Sequence, residues 1–168
     1  MSAFGLNLLL AISWIALTGS FSFPNLVAGF VFGYGALWMI QPLIGRTRYF
    51  QRVIAWIKLI VMFHYELIVS SITVLWDILT PKHRAEPAII EVPLDVKSNA
   101  GILLVTNLIS LTPGTLSLDV SEDRSTLIVH AMFADDPEQL IRDLKQGMEK
   151  WVIDAVEDPD ALMTEDRP

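Results

Sequence analysis

A chain of 168 residues suffices for one modest domain together with a membrane anchor, and an apolar fraction of 52% with a mean hydropathy of +0.47 is high for a soluble protein. The net charge of −7 is unevenly spread: residues 1–84 hold six basic against two acidic residues and the remainder six against seventeen, so the halves carry +4 and −11. The acidic half excludes nucleic acid as a partner, and the absence of cysteine excludes disulfides, thiolate zinc sites and cysteine nucleophiles.

The first charged residue is Arg46. A charge-free run of that length is about two crossings of a bilayer, since one crossing takes about 20 apolar residues. The run breaks where Ser20, Ser22, Pro24 and Asn25 interrupt it, which predicts helices over residues 4–18 and 25–44. Residues 1–45 therefore read as a transmembrane helical hairpin whose first helix is short for a span. A cleaved signal peptide fits less well: there is no basic n-region, and another apolar stretch follows the break at once. Gly29 and Gly33 form GxxxG, a pattern that lets another helix approach the backbone, although glycine is common in membrane helices. Arg46, Arg48 and Arg52 after the second helix place that end, and with it the N-terminus, in the cytoplasm.

Residues 46–80 read as a basic loop and a long amphipathic helix. At 100° per residue, Lys58, Glu66, Ser70, Thr73 and Asp77 gather within about a third of the circumference, with Trp56, Ile60, Val61, Phe63, Ile68 and Leu75 elsewhere. That pattern fits an interfacial helix along the cytoplasmic face or a third span whose stripe faces protein. The interfacial placement is preferred, because a span would carry the acidic half outside and put Lys82 and Arg84 on the wrong side of the membrane. Lys58, His64, Glu66 and Asp77 are the candidates for an ion path, since ionisable residues at membrane depth mark such routes. The competing reading is an amphipathic surface with its charges in water and its lysine snorkelling, and it is the better supported.

Residues 81–158 predict a small cytoplasmic α+β domain of β-α-β-β-α order, followed by an acidic tail over 159–168. Pro81 ends the long helix. Ala88 to Leu94 reads as a strand that Pro93 confines to an edge or end, and Ser98 or Asn99 caps the next helix. Pro113 and Gly114 end that helix and redirect the chain, because proline lacks a donor and glycine tolerates positive φ. A hairpin follows, residues 115–120 with 126–133, joined by Ser121, Glu122, Asp123, Arg124 and Ser125. Leu116, Leu118 and Val120 are expected on one face. Asp135, Asp136, Pro137 and Glu138 start the last helix, whose Leu140, Ile141, Leu144, Met148, Trp151, Val152 and Ala155 recur at helical spacing. About seventy residues make a marginal core, so the domain is expected to lean on the membrane part or on a partner.

No phosphate-binding glycine loop, HExxH or nucleophile elbow occurs, and the residues offer no catalytic, cofactor or metal site. Asp119 and His130 face one another in some hairpin registers, an exposed cross-strand pair rather than a catalytic one.

Two stretches carry a resemblance. LISLTPGTLSLDVSEDRSTLIVHAM, within residues 108–132, and the N-terminal LLLAISWIALTGSFSFPNLVAGFVFG resemble the E subunit of the multisubunit cation/proton antiporters of the Mrp, Mnh or Pha type. The likeness covers most of the chain and is strongest over residues 107–130. It implies a non-catalytic accessory subunit in the cell membrane, with other membrane subunits and the lipid bilayer as partners, in a complex that exchanges sodium for protons. The residues alone leave open a membrane-anchored binding module whose α+β domain recruits a soluble partner.

Overall fold

The computed structural model describes residues 2–44, 48–81 and 85–157. Arg46, Lys82, Arg84 and the acidic tail, on which part of the topology expectation rests, lie outside the described residues. The chain forms two compact units, Met1–Val53 and Ile54–Pro168.

The first unit holds α1 (Ala3–Thr18), α2 (Phe23–Ile44) and the opening residues of α3 (Tyr49–Leu79). Ser2 caps α1 by accepting from the Gly5 amide, and Gly19 ends it in the left-handed region at φ 64°. Asn25 then fixes the turn. Its Nδ2 donates to Thr18 Oγ1 at 2.6 Å and to the Ser20 carbonyl at 2.7 Å, while its Oδ1 accepts from Trp14 Nε1 at 3.0 Å. The helices run back antiparallel, with Phe4 meeting Phe30 and Trp14 meeting Phe32.

The second unit holds the rest of α3, then β1 (Ala88–Pro93), α4 (Asn99–Leu111), β2 (Thr115–Val120), β3 (Thr126–Ala131) and a last helix in three pieces. These pieces are α5 (Pro137–Leu144), a π turn (Lys145–Glu149) and α6 (Lys150–Val156). The sheet is antiparallel throughout, in the order β1-β3-β2. Its inner face presents Ile90 and Val92 of β1 and Leu127, Val129 and Ala131 of β3, all buried. Ile102, Val105, Leu108 and Ile109 of α4 and Leu144, Met148, Val152 and Ala155 of the last helix join the same core. So does Leu59 of α3, with Ala55 and Phe63 packed against it. The marginal core is thus completed by the long helix that precedes it in sequence.

β2 departs from the expected alternation. Its inner positions are Thr115 and Ser117, small and polar because α4 lies close: Ser117 Oγ donates to the Thr106 carbonyl, and the Ser117 amide donates to Ser110 Oγ. Leu116 and Leu118 point outward and are half-exposed. A bulge between Ser117 and Asp119 then re-aims the strand, and Val120 comes back against the core. The same register sets Asp119 opposite Ile128 and His130 between Ile89 and Leu116, so Asp119 and His130 do not face one another.

Candidate functional site

In the first unit the two glycines of the GxxxG pattern face α1. A Cβ at Gly29 would lie 3.0 Å from the Ala11 carbonyl oxygen and from Trp14, and one at Gly33 would collide with Asn7 Oδ1. Gly35, two residues on, has open space around it. Asn7 is fully buried, and its Nδ2 donates to the Tyr49 hydroxyl at 2.5 Å. Tyr49 sits in an aromatic group with Phe4, Tyr34 and Phe50. Asn7 Oδ1 has no hydrogen-bond partner among the described residues. Asn7 is not among the residues the sequence singles out; its signal is being the one amide in a charge-free helix whose other polar side chains are Ser13 and Thr18.

In the second unit, one face of α3 is turned to the α+β domain. Ala55, Leu59 and Phe63 pack on its core, Glu66 and Ser70 line a cleft, and Asp77 is buried. Ser70, Ser71, Thr73 and Thr80 satisfy their hydroxyls on carbonyls four residues back. The candidate ion-path residues therefore do not converge. Lys58 and His64 are exposed, and His64 stands about 160° round the helix from Glu66, with its Nδ1 2.7 Å from the Ile60 carbonyl oxygen. Glu66 and Asp77 share a face but are eleven residues, about 16 Å, apart.

The cleft has a volume of about 230 Å³ and is walled by Glu66 and Ser70, the turn from Thr112 to Thr115, Phe133, and Leu140, Asp143 and Leu144 of α5. Gly114 holds φ 91° and its carbonyl accepts from the Met132 amide at 2.8 Å. A Cβ there would meet only ordinary contacts, Phe133 at 3.5 Å and Val74 at 3.7 Å, so positive φ rather than crowding is what requires glycine. Thr115 Oγ1 donates to the Ile109 carbonyl and ties the turn to the end of α4. Two carboxylates and a few hydroxyls in a mostly apolar cleft make no metal centre: among the described residues no three acidic or histidine side chains cluster.

The most ordered polar structure was not visible in the sequence. Four consecutive amides in the passage from β1 to α4 are taken by two buried carboxylates, Glu149 of the π turn and Glu157 directly after α6. Glu149 Oε1 accepts from Asp95 and Val96, and Glu157 Oε1 from Lys97 and Ser98 at 2.9 and 2.8 Å. Lys145, on the π turn, binds Asp95 Oδ2 at 2.8 Å and the Pro93 carbonyl at 2.7 Å, and lies 3.4 Å from Glu149 Oε2. Burial alone would lower the lysine's pKa, but its hydrogen bond to Asp95 and the charges of Glu149 and Asp95 outweigh that and raise it. A Cβ at Gly101 would strike Val96, which keeps this passage tight against α4. The arrangement staples the domain; Glu149 Oε2 makes no hydrogen bond among the described residues and faces only the Lys145 ammonium.

Residues 7–155 match the family model described as "Na+/H+ ion antiporter subunit". The chain is 36% identical over 153 residues to the E1 subunit of the Na(+)/H(+) antiporter of Staphylococcus haemolyticus, covering 91% of this chain and 96% of that one. It is 35% identical over 149 residues to the E subunit of the Na(+)/H(+) antiporter of Alkalihalophilus pseudofirmus, covering 89% and 94%. In fold it is similar to a chain in the structure of the membrane-bound sulfane sulfur reductase, an archaeal respiratory membrane complex. That likeness has a TM-score of 0.50 at 24% identity over 92% of this chain and 97% of the other.

Proposed function

The chain belongs to the family of Na+/H+ antiporter E subunits, a family of transporter components rather than enzymes, and from that membership we propose that it is a non-catalytic subunit that supports assembly and stability of the antiporter. Its partners are the other membrane subunits of the complex. In this reading sodium ions and protons pass through those subunits, while this chain holds its place by the α1–α2 hairpin and presents the α+β domain in the cytoplasm.

One observation carries the reading. The hairpin helices hold no charged residue and are closed on one another by Gly29 and Gly33, with a single amide, Asn7, buried against them. A hydrated path needs several helices around it and side chains that bind the ion, and this pair offers neither. On α3, Glu66 and Asp77 share a face but stand about 16 Å apart along it, and Lys58 and His64 are exposed elsewhere on the helix, so these four do not form a relay.

Reconstituted alone in vesicles under a sodium or pH gradient, the chain should show no exchange above empty vesicles. In the full complex Glu66→Gln should leave exchange largely intact, whereas deletion of the chain weakens or abolishes it. A normally assembled Glu66→Gln complex without exchange would place Glu66 on the ion route and defeat the proposal. Gly114→Val strains the turn by forcing a β-branched residue to positive φ, and the expected phenotype is loss of complex yield; normal yield with transport lost would defeat the scaffold role.

A second reading is favoured by the bare outer face of the sheet, where Ile89, Leu116 and Leu118 are exposed. A soluble partner recruited there would make the chain a membrane-anchored binding module. Purification in mild detergent separates the two: large membrane subunits should co-migrate in the first case and a soluble chain in the second.

A further inference from the structure

By length and composition α3 would pass as a membrane span. At 1.5 Å per residue its 31 residues reach about 46 Å, more than the roughly 30 Å of bilayer hydrocarbon. What the helix touches argues otherwise. From Ala55 to Asp77 one side of α3 is engaged in its own unit: Ala55, Leu59 and Phe63 in the core, Glu66 and Ser70 in the cleft, Val74 beside Gly114, Asp77 buried. That stretch of 23 residues is about 33 Å long, as deep as the hydrocarbon itself. A domain fastened along such a length could not stay outside the bilayer if the helix crossed it. The domain is not made for lipid: Glu138, Arg142, Asp143, Lys150 and Asp154 are exposed on its last helix.

The opposite side of α3 has the reverse character. Val61, Ile68, Ile72, Leu75 and Leu79 are exposed and share a face with no charged residue. Both acids of the helix, Glu66 and Asp77, lie on the domain side. Lys58 stands exposed at the margin of the apolar face, where its ammonium can reach water or lipid phosphate while its stem lies on lipid. Apolar residues on one face, a lysine at the rim and acids turned away are the marks of a helix lying in a membrane interface.

We propose that α3 lies in the plane of the membrane, its apolar face sunk into the cytoplasmic surface of the bilayer, and that it carries the α+β domain on its other side. The partner of this surface is lipid. The proposal rests on the membrane location of the chain and is independent of its part in antiporter assembly.

The chain has no cysteine, so single nitroxide labels can be introduced at Val61→Cys, Ile68→Cys and Leu75→Cys, three positions in one line along the outer face. The full chain is placed in phosphatidylcholine/phosphatidylglycerol vesicles, and label depth is read from collisions with oxygen against a water-soluble nickel chelate. The three labels should lie at one depth, about 5–10 Å below the headgroup phosphates. A depth that peaks at Ile68 and falls toward Val61 and Leu75 would mean that α3 crosses and would overturn the proposal. Full access of all three to the nickel chelate would overturn it too, and would assign the face to another protein of the complex. A label at Val31→Cys in α2 reports hairpin insertion separately; if it is not deep, the membrane location fails and the in-plane placement falls with it.

Discussion

At Glu149 a single carboxylate closes two amides and faces one lysine while 3% exposed. Hydrogen bonds to a charged group are worth about 1.5–3 kcal/mol, and breaking a buried pair by removing one partner costs about 3–5 kcal/mol. Glu149→Ala should therefore destabilise the chain by about 3–5 kcal/mol and Glu149→Gln by less, because the amide keeps one acceptor for Asp95 and Val96. Denaturant unfolding in mild detergent, followed by far-ultraviolet circular dichroism, measures both. In the hairpin loop, hydrogen bonds from Ser121 and then Ser125 lower the pKa of Asp123 from 3.8 to about 2. A depressed carboxylate stabilises the fold above its unfolded pKa, and that contribution shrinks as the pH falls from about 3.8 to about 2. Replacing Ser121 and Ser125 by alanine should return the Asp123 titration, followed by carbon-13 NMR of the carboxyl, toward the ordinary value.

Among elements, the α1–α2 pair shows why glycine position matters more than glycine content. Gly33 abuts Asn7 and Gly35 abuts nothing. Gly33→Leu should push the helices apart at a cost of about 1–3 kcal/mol or more, as overpacking does, and should raise protease sensitivity of the 19–22 turn. Gly35→Leu should leave that sensitivity unchanged. Equal sensitivity of the two variants would show that the helices do not meet on this face. The last helix makes a different point. Its π turn at Lys145–Glu149 adds a residue to one turn and places Lys145 and Glu149 to hold the passage after β1. Nothing in a periodic apolar pattern announces such a turn, so the sequence reads as one continuous helix there.

For the whole molecule, the boundary between anchor and domain does not fall at the end of the long helix. Leu59, 3% exposed, belongs to the same core as Val92, Val129 and Val152. Residues 81–158 expressed alone should therefore be poorly folded, with broad NMR signals. Residues 54–158, bearing α3, should give dispersed amide signals when held in detergent. Leu59→Ala in the full chain should cost about 2–5 kcal/mol, the range for emptying a buried leucine site. A sharp, dispersed spectrum from 81–158 would show that α3 is dispensable to the domain.

The sequence by itself determined the element order, the charge-free hairpin, the turn at Pro113-Gly114 and the family. Each is written in local signals: charge-free length, helix caps, glycine and proline, or a long contiguous match. What it could not determine were contacts between elements distant in the chain. It did not tell that Leu116 and Leu118 turn outward, because a one-residue bulge reverses a strand's faces without changing its alternation. It lent Glu149 and Glu157 no distinction from solvated acids, since their role depends on amides more than fifty residues earlier. It showed a polar stripe on α3 but not what the stripe meets. Only the tertiary structure decided that Glu66, Ser70 and Asp77 of this stripe, with Leu59 and Phe63 beside them, lie on the side turned to the α+β domain, because burial belongs to a pair of surfaces and a sequence displays one of them at a time.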